Sequence, residues 1–337
     1  MRRFQKATIK EVAHQAGVSV TTVSLFVGGR ESVCSPGTAE RIRRAVAELN
    51  YTPSSLVSSV QRRATRTLGV CMLSPLDPDV DFGGHFYEQL WRGIVAEADA
   101  SDLSLLHYPI SVRKSASTDA FLDGRVDGVL YHSNTHTDPN LRPARLAAAG
   151  LPTVLLTRSQ NLPEGCGCVS TDENTTVALA LEHLWQLGHR RIAHVSGPGE
   201  IGQGRLEGYR KWLQNRSSYN PTLEGSNGSW CAQRVSALLT EWHALAEPPT
   251  AVFCANDMLA QAALTLAHAW GWQLAVVGVD NASPGSGITS VDPSGEALGR
   301  ESVRTLQRLI DGAPLDACRV EIPACKLHAR ASTETPP

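Results

Sequence analysis

The side chains best suited to bind a polar compound sit just after short apolar runs. Phe86 and Tyr87 follow the run TLGVCML at 67 and its loop, Arg158 follows PTVLL, Asn256 and Asp257 follow TAVFCA, and Asp280 follows LAVVGV. In open sheets covered by helices, ligands bind beyond the carboxyl ends of the strands, so these residues are expected to face one site. Asn and Asp offer fixed hydrogen-bonding groups, Arg a charged donor fork, and the aromatic rings an apolar face. Together they suit a polyhydroxyl compound. Trp230 fits either a ring-stacking position or the core.

Signals of other chemistry fail on inspection. GPGEIG at 197–202 matches G-x-G-x-x-G after an apolar run, but Pro198 interrupts it and no strand ending in an acid follows about twenty residues on. Neither G-x-S-x-G nor H-E-x-x-H occurs. No catalytic residue, metal ligand or cofactor is therefore expected, and the chain is not expected to be an enzyme. His14, His183 and His189 lie in helical or turn contexts and are expected on the surface or in the core. Eight cysteines, at 34, 71, 166, 168, 231, 254, 318 and 325, include no C-x-x-C pair. They are expected as reduced thiols in the cytoplasm, with Cys166 and Cys168 as small, half-buried strand residues.

The elements that must position these groups follow from the patterning. Of 337 residues 42% are apolar and 19% charged, which excludes disorder. The longest apolar runs are strand-sized and none follows the basic start MRRFQKATIK, so neither a membrane span nor a secretory signal is expected. From Thr67 onward, apolar strands at 67, 103, 127, 152, 191, 250 and 274 alternate with helical segments, the pattern of parallel sheets covered by helices. The alternation restarts around 160–190, so two doubly wound α/β lobes are expected. Lobe 1 is placed at about 67–158 and 292–314, and lobe 2 at about 159–291 and 315–330.

Residues 1–63 hold ten Lys/Arg against four Asp/Glu, leaving 21 against 29 for the remainder. A head of +6 on a body of −8 implies a polyanion partner for the head alone. Residues 8–50 read as three short helices. Thr8 and Glu11 have capping-box spacing, Gly17 ends the first helix, Ser19 caps the second, and Pro36 opens a third that buries Ile42, Ala45, Val46 and Leu49 until Asn50 ends it. Two short helices joined by a tight turn form a helix-turn-helix. If Val23 and Val27 face the core, Thr21, Thr22 and Leu25 face base edges. Residues 51–66, rich in Ser and Thr, read as a linker. Arg2, Arg3, Lys6, Arg62 and Arg63 are candidate phosphate contacts.

TIKEVAHQAGVSVTTVS at 8–24 and ERIRRAVAELNYTPSSLVSS at 40–59 resemble the head of the lactose/galactose-repressor (LacI/GalR) family. HFYEQLWRGI at 85–94, EHLWQLGHRRIAHVSGP at 182–198, RLEGYR at 205–210 and ANDMLA at 255–260 extend the likeness along nearly the whole chain. The resemblance implies a regulator with a helix-turn-helix head (1–50), a hinge (51–66) and a periplasmic-binding-protein-like effector domain (67–337). It implies a homodimer on a palindromic double-stranded operator, and a small-molecule effector, a carbohydrate by the chemistry above. The bland alternative is a sugar-binding module without regulatory output.

By the same resemblance, Val20, Thr21 and Leu25 read the major groove, and a hinge helix over about 54–61 wedges a side chain into the minor groove. The expected DNA-contact set is Thr8, Ser19, Val20, Thr21, Thr22, Ser24, Leu25, Ser58 and Val60. The expected effector set is Phe86, Tyr87, Arg158, Arg205, Asn256 and Asp280. Three residues depart from the family pattern: Leu25 stands where Arg is usual, Val60 where the hinge leucine is usual, and Ser58 where the hinge arginine is usual. Each lost bidentate contact to a base is worth about 1–3 kcal/mol, so an operator unlike those of relatives is expected.

Overall fold

The computed structural model describes residues 7–52, 64–73, 84–110, 118–132, 141–157, 160–230, 232, 234–282, 284–324 and 326–334. The hinge segment 54–61 with Ser58 and Val60, the residue Arg158, and the basic residues Arg2, Arg3, Lys6, Arg62 and Arg63 lie outside the described residues. The chain divides into two compact units, Met1–Arg66 and Thr67–Pro337.

In the first unit, α1 (Ile9–Ala16), α2 (Val20–Val27) and α3 (Pro36–Glu48) enclose a core of Val12, Ala13, Ala16, Val23, Phe26, Ala39, Ile42 and Ala45. The partner of Val23 in this core is Phe26. Val27 is only half-buried, as are Val46 and Leu49. A spacing of three rather than four brings the larger ring inward, where a small bundle gains more apolar area. Thr8 and Glu11 form the reciprocal box, with Thr8 N–H donating to Glu11 Oε2 at 2.7 Å and Glu11 N–H to Thr8 Oγ1 at 3.4 Å. Gly17 ends α1 at φ 65°, and Asn50 follows α3 at φ 49°. Both are left-handed conformations that Gly and Asn adopt at least cost.

The second unit is built on two six-stranded sheets. The first orders β11 (Arg319–Ile322), β5 (Cys166–Thr171), β4 (Thr153–Leu156), β3 (Gly128–Tyr131), β1 (Thr67–Leu73) and β2 (Ser104–Ile110), all parallel. The second orders β12 (Lys326–His328), β10 (Thr289–Asp292), β9 (Ala275–Val279), β8 (Ala251–Cys254), β6 (Ile192–Ser196) and β7 (Glu224–Ser226), with only β12 antiparallel. Helices α4 (Gly84–Ala100), α5 (Leu141–Ala148) and α10 (Gly295–Ile310) pack with the first sheet. Helices α6 (Glu173–Gln186), α7 (Gly199–Gln214), α8 (Val235–His243) and α9 (Asp257–Ala269) belong to the second.

This topology corrects the lobe limits read from the sequence. Cys166–Thr171 pairs with β4 from Thr153↔Cys166 onward, and Arg319–Ile322 runs beside it, so both strands belong to lobe 1 rather than lobe 2. The reason is burial: all six β5 residues are buried, Cys166 and Cys168 included, which requires a partner strand on each side. The chain passes between lobes after Thr171, Asp292 and Ile322. Hydrogen bonds stitch the three crossings: Asp172 N–H donates to the Ile322 carbonyl at 2.7 Å, Thr171 Oγ1 to the Pro293 carbonyl at 3.1 Å, and Ser294 Oγ to the Pro323 carbonyl at 3.1 Å.

Helix α10 returns from lobe 2 to lie on α4. A Cβ at Gly93 would stand 2.1 Å from the Glu296 carbonyl oxygen, and one at Gly299 2.2 Å from that of Leu90, so only glycine permits this approach. Arg304 then forks onto Glu97 of α4 through two bonds of 2.8 Å.

Candidate DNA-reading helix and effector cleft

On α2, Val20 and Thr21 are exposed, whereas Thr22, Ser24 and Leu25 are half-buried. Ser19 and Thr22 serve the helix itself: Thr22 N–H donates to Ser19 Oγ at 3.0 Å, and the two hydroxyls lie 2.8 Å apart. Thr8 is likewise spent on its capping box, which holds the Glu11 carboxyl below its ordinary range. The Thr8 hydroxyl spends its proton on Glu11 and keeps only an acceptor lone pair, whereas within the Ser19–Thr22 pair one hydroxyl retains a proton for a phosphate or base edge. Leu25, expected at a base edge, sits between exposed Thr21 and buried Phe26.

In the second unit Phe86, Tyr87, His132, Glu173, Arg205 and Asp280 come together near the strand ends. Asp280 follows β9 at φ 107° and Asn281 follows at φ 49°. Two successive non-glycine residues with positive φ are unusual and occur where surrounding bonds impose them. Here Asn281 N–H donates to Ser290 Oγ at 2.9 Å, and Asp280 N–H to the Val291 carbonyl at 2.9 Å. Burial pushes the Asp280 carboxyl well above the ordinary carboxylate range. Arg205 opposes that rise, while Asp257, Glu173 and Asp292 add to it.

Arg205, on α7, is 5% exposed, and it is ion-paired within lobe 2 rather than across the lobes. Its Nε donates to Glu173 Oε2 at 2.7 Å, its Nη2 to Glu173 Oε1 at 3.4 Å, and its Nη1 to the Ala255 carbonyl. Burial works to lower its pKa, but the carboxylates of Glu173, Asp280 and Asp257 outweigh that and raise it.

From lobe 1, Tyr87 on α4 faces Asp280, and burial together with that carboxyl pushes its phenol up. Tyr87 Oη stands 3.3 Å from His132 Nε2, and Phe86 meets the Tyr87 ring edge-on at 5.7 Å. His132 is buried at the end of β3, which lowers it to about 4 and keeps the imidazole neutral. Its Nδ1 has no hydrogen-bond partner among the described residues.

Asn256 is committed differently from expectation. Its Oδ1 caps α9 by accepting Leu259 N–H at 2.9 Å, and its Nδ2 donates to the Trp230 carbonyl at 3.3 Å. Asp257 accepts from Ser290 Oγ at 2.6 Å and from Ala282 N–H at 2.7 Å, and burial raises it to about 6. The glycines of GPGEIG serve packing: a Cβ on Gly202 would lie 2.0 Å from the Gly197 carbonyl oxygen, and one on Gly197 2.3 Å from the Trp230 ring. Trp230 is thus half-buried against this run and the lobe 2 core.

Of the expected effector set, then, the structure gathers Phe86, Tyr87, Arg205 and Asp280 and turns Asn256 into a cap. Glu173 and His132 were missed. Both sit just past a strand, Glu173 after CGCVST and His132 closing DGVLYH, so the strand-end rule that selected Asp280 would have found them.

A helix-turn-helix unit joined in one chain to a two-lobed α/β unit with a polar interlobe site defines the class of DNA-binding transcription regulators controlled by a small molecule. Residues 8–54 match the family of bacterial regulatory proteins described as the lacI family, and residues 181–333 match the periplasmic binding protein-like domain. The HTH-type transcriptional regulator CelR of Thermobifida fusca is 32% identical over 334 residues, which cover 95% of this chain and 96% of that one. A crystal structure of the lac repressor dimer bound to operator and the anti-inducer ONPF matches with a TM-score of 0.79 at 25% identity, over 98% of this chain and 99% of that chain. A CelR–cellobiose complex matches with a TM-score of 0.68 at 30% identity, over 97% and 99%. The chain belongs to the lacI family of bacterial regulatory proteins and is a DNA-binding transcription regulator.

Proposed function

We propose that this chain is a homodimeric repressor whose paired heads bind a palindromic operator, and whose interlobe cleft holds a carbohydrate that controls them. The observation that carries the reading is the convergence of Tyr87, Asp280 and the Arg205–Glu173 pair at the strand ends of both lobes. These groups alternate donors and acceptors around one spot, as recognition of several hydroxyls requires. Relatives named as repressor and regulator, one solved on an operator and one with cellobiose, support it.

In this reading Val20, Thr21 and Leu25 face base edges, Leu25 against a thymine methyl. Thr8, Ser19, Thr22 and Ser24 meet the backbone, and Ser58 and Val60 enter the minor groove. The head spans 1–50, the hinge 51–66 and the effector domain 67–337. Phe86, Tyr87, Arg158, Arg205, Asn256 and Asp280 line the cleft, with His132 offering a further hydrogen bond. The chain acts on DNA in the cytoplasm and catalyses no reaction. Ligand and operator binding must be coupled reciprocally. Selection of binding sequences from random DNA, with and without a panel of sugars, tests it. An enriched palindrome whose occupancy changes with one sugar is expected, whereas no enriched sequence overturns it.

A further inference from the structure

Beside the cleft, near the crossings between lobes, lies a cavity of about 240 Å³ with walls from both lobes. Ser170 and Glu321 line it from the first sheet, and Glu173, Glu200, Glu207 and Lys211 from α6 and α7. Among the described residues it faces four carboxylates and one ammonium. Three carboxylates already accept hydrogen bonds: Glu173 from Arg205, Glu207 from Gln203 Nε2 at 2.8 Å, and Glu200 from Gln160 N–H at 2.7 Å. Glu321 has no ion-pair partner among the described residues, and partial burial together with Asp172 and Glu173 pushes it up.

Ser170 is an independent sign of a binding site. It is 2% exposed, it lines the cavity, and its buried Oγ makes no hydrogen bond among the described residues. Buried hydroxyls are seldom left so. Among the described residues no group of acidic, His or Cys side chains is placed to hold a metal ion. A dispersed set of acceptors instead fits a cation that carries several N–H donors on an organic frame.

We propose that this cavity is a second ligand site that takes a protonated amine, with Glu321 supplying the counter-charge and Ser170 Oγ accepting a hydrogen bond. Gln160 belongs to the segment between β4 and β5, so its bond to Glu200 already crosses between lobes. An amine held on the same walls stabilises one lobe arrangement and thereby couples to the cleft. The amine has two possible sources: an amino-substituted sugar reaching past Glu173 from the cleft, or a free diamine.

Calorimetric titration of the full chain with glucosamine and putrescine, and glucose as the uncharged control, tests the proposal. At least one amine is expected to bind, with Glu321→Gln weakening it about tenfold. Ser170→Ala weakens it by a smaller factor while leaving the melting temperature of the empty protein unchanged or raised, since the variant removes an unpartnered hydroxyl. Lys211→Ala removes a competing charge and tightens binding. Repeating the titrations in Asp280→Asn separates the sources: binding that survives belongs to a free amine, and glucosamine binding that is lost belongs to an amino sugar seated in the cleft. No amine binding beyond the glucose control, or amine binding unchanged in both Glu321→Gln and Ser170→Ala, overturns the site.

Discussion

The two lobes meet the cleft with different materials. Lobe 2 presents charge already paired: Arg205 forks onto Glu173, Asp257 is tied to Ser290 and Ala282, and Asn256 caps its helix. Lobe 1 presents rings, with Tyr87 in edge contact with both Phe86 and His132 and one imidazole nitrogen unpartnered among the described residues. Groups bonded on several sides are held in place before a ligand arrives, at the cost that removing one exposes a buried charge. Rings contribute area and can be altered without leaving a charge behind. The difference teaches that the paired half is tied to the fold through buried charge, while the ring half, packed against the lobe 1 core, is tied to it through apolar area.

The comparison can be broken most decisively at Arg205. Arg205→Ala strands Glu173 and is expected to lower unfolding free energy in urea by about 3–5 kcal/mol. A loss under about 1 kcal/mol would show that lobe 2 does not depend on the pair.

The next largest effect is in the pH dependence. The Asp257 carboxyl is raised from 3.8 to about 6 in the folded chain, so the folded state binds the proton more tightly than the unfolded chain. Stability from this group is therefore fully present below about pH 4 and lost as pH rises to about 6, over a span of about 3 kcal/mol. Comparing urea unfolding of the wild type and Asp257→Asn from pH 4 to 7 checks the sign. The variant is expected to lose this fall, and equal slopes would remove Asp257 as its source.

The smallest effect on stability belongs to lobe 1. Tyr87→Phe is expected to shift unfolding by no more than about 1 kcal/mol, while weakening the selected sugar about tenfold. Affinity unchanged beside a large stability loss would reverse the assignment of roles.

Much of this was legible in the residues. Thr8, Glu11, Gly17 and Ser19 announced the helix-turn-helix because caps and turns are satisfied by neighbours within a few positions. Apolar runs announced β1, β3, β4, β6, β8 and β9 for the same local reason, and with them the strand-end positions of Tyr87 and Asp280. Helix α2's inward face was only half readable, because Val27 and Phe26 have nearly equal claims by spacing and the packing of α1 and α3 chose the ring.

What the tertiary structure alone decided is pairing at a distance. No local pattern assigns RVEI to the first sheet, since its partner CGCVST lies about 150 residues earlier, and CGCVST is placed there by backbone bonds to β4 that its own pattern does not announce. Nor does any spacing state that Arg205 pairs with Glu173 inside one lobe, that Asn256 spends its amide on a cap, or that His132 ends beneath Tyr87. The sequence by itself determined which groups stand at strand ends, because that follows from local periodicity. Which of them remain available to a ligand depends on burial and on partners brought in by the fold, and a carboxylate, amide or imidazole shows neither until its neighbours are in place.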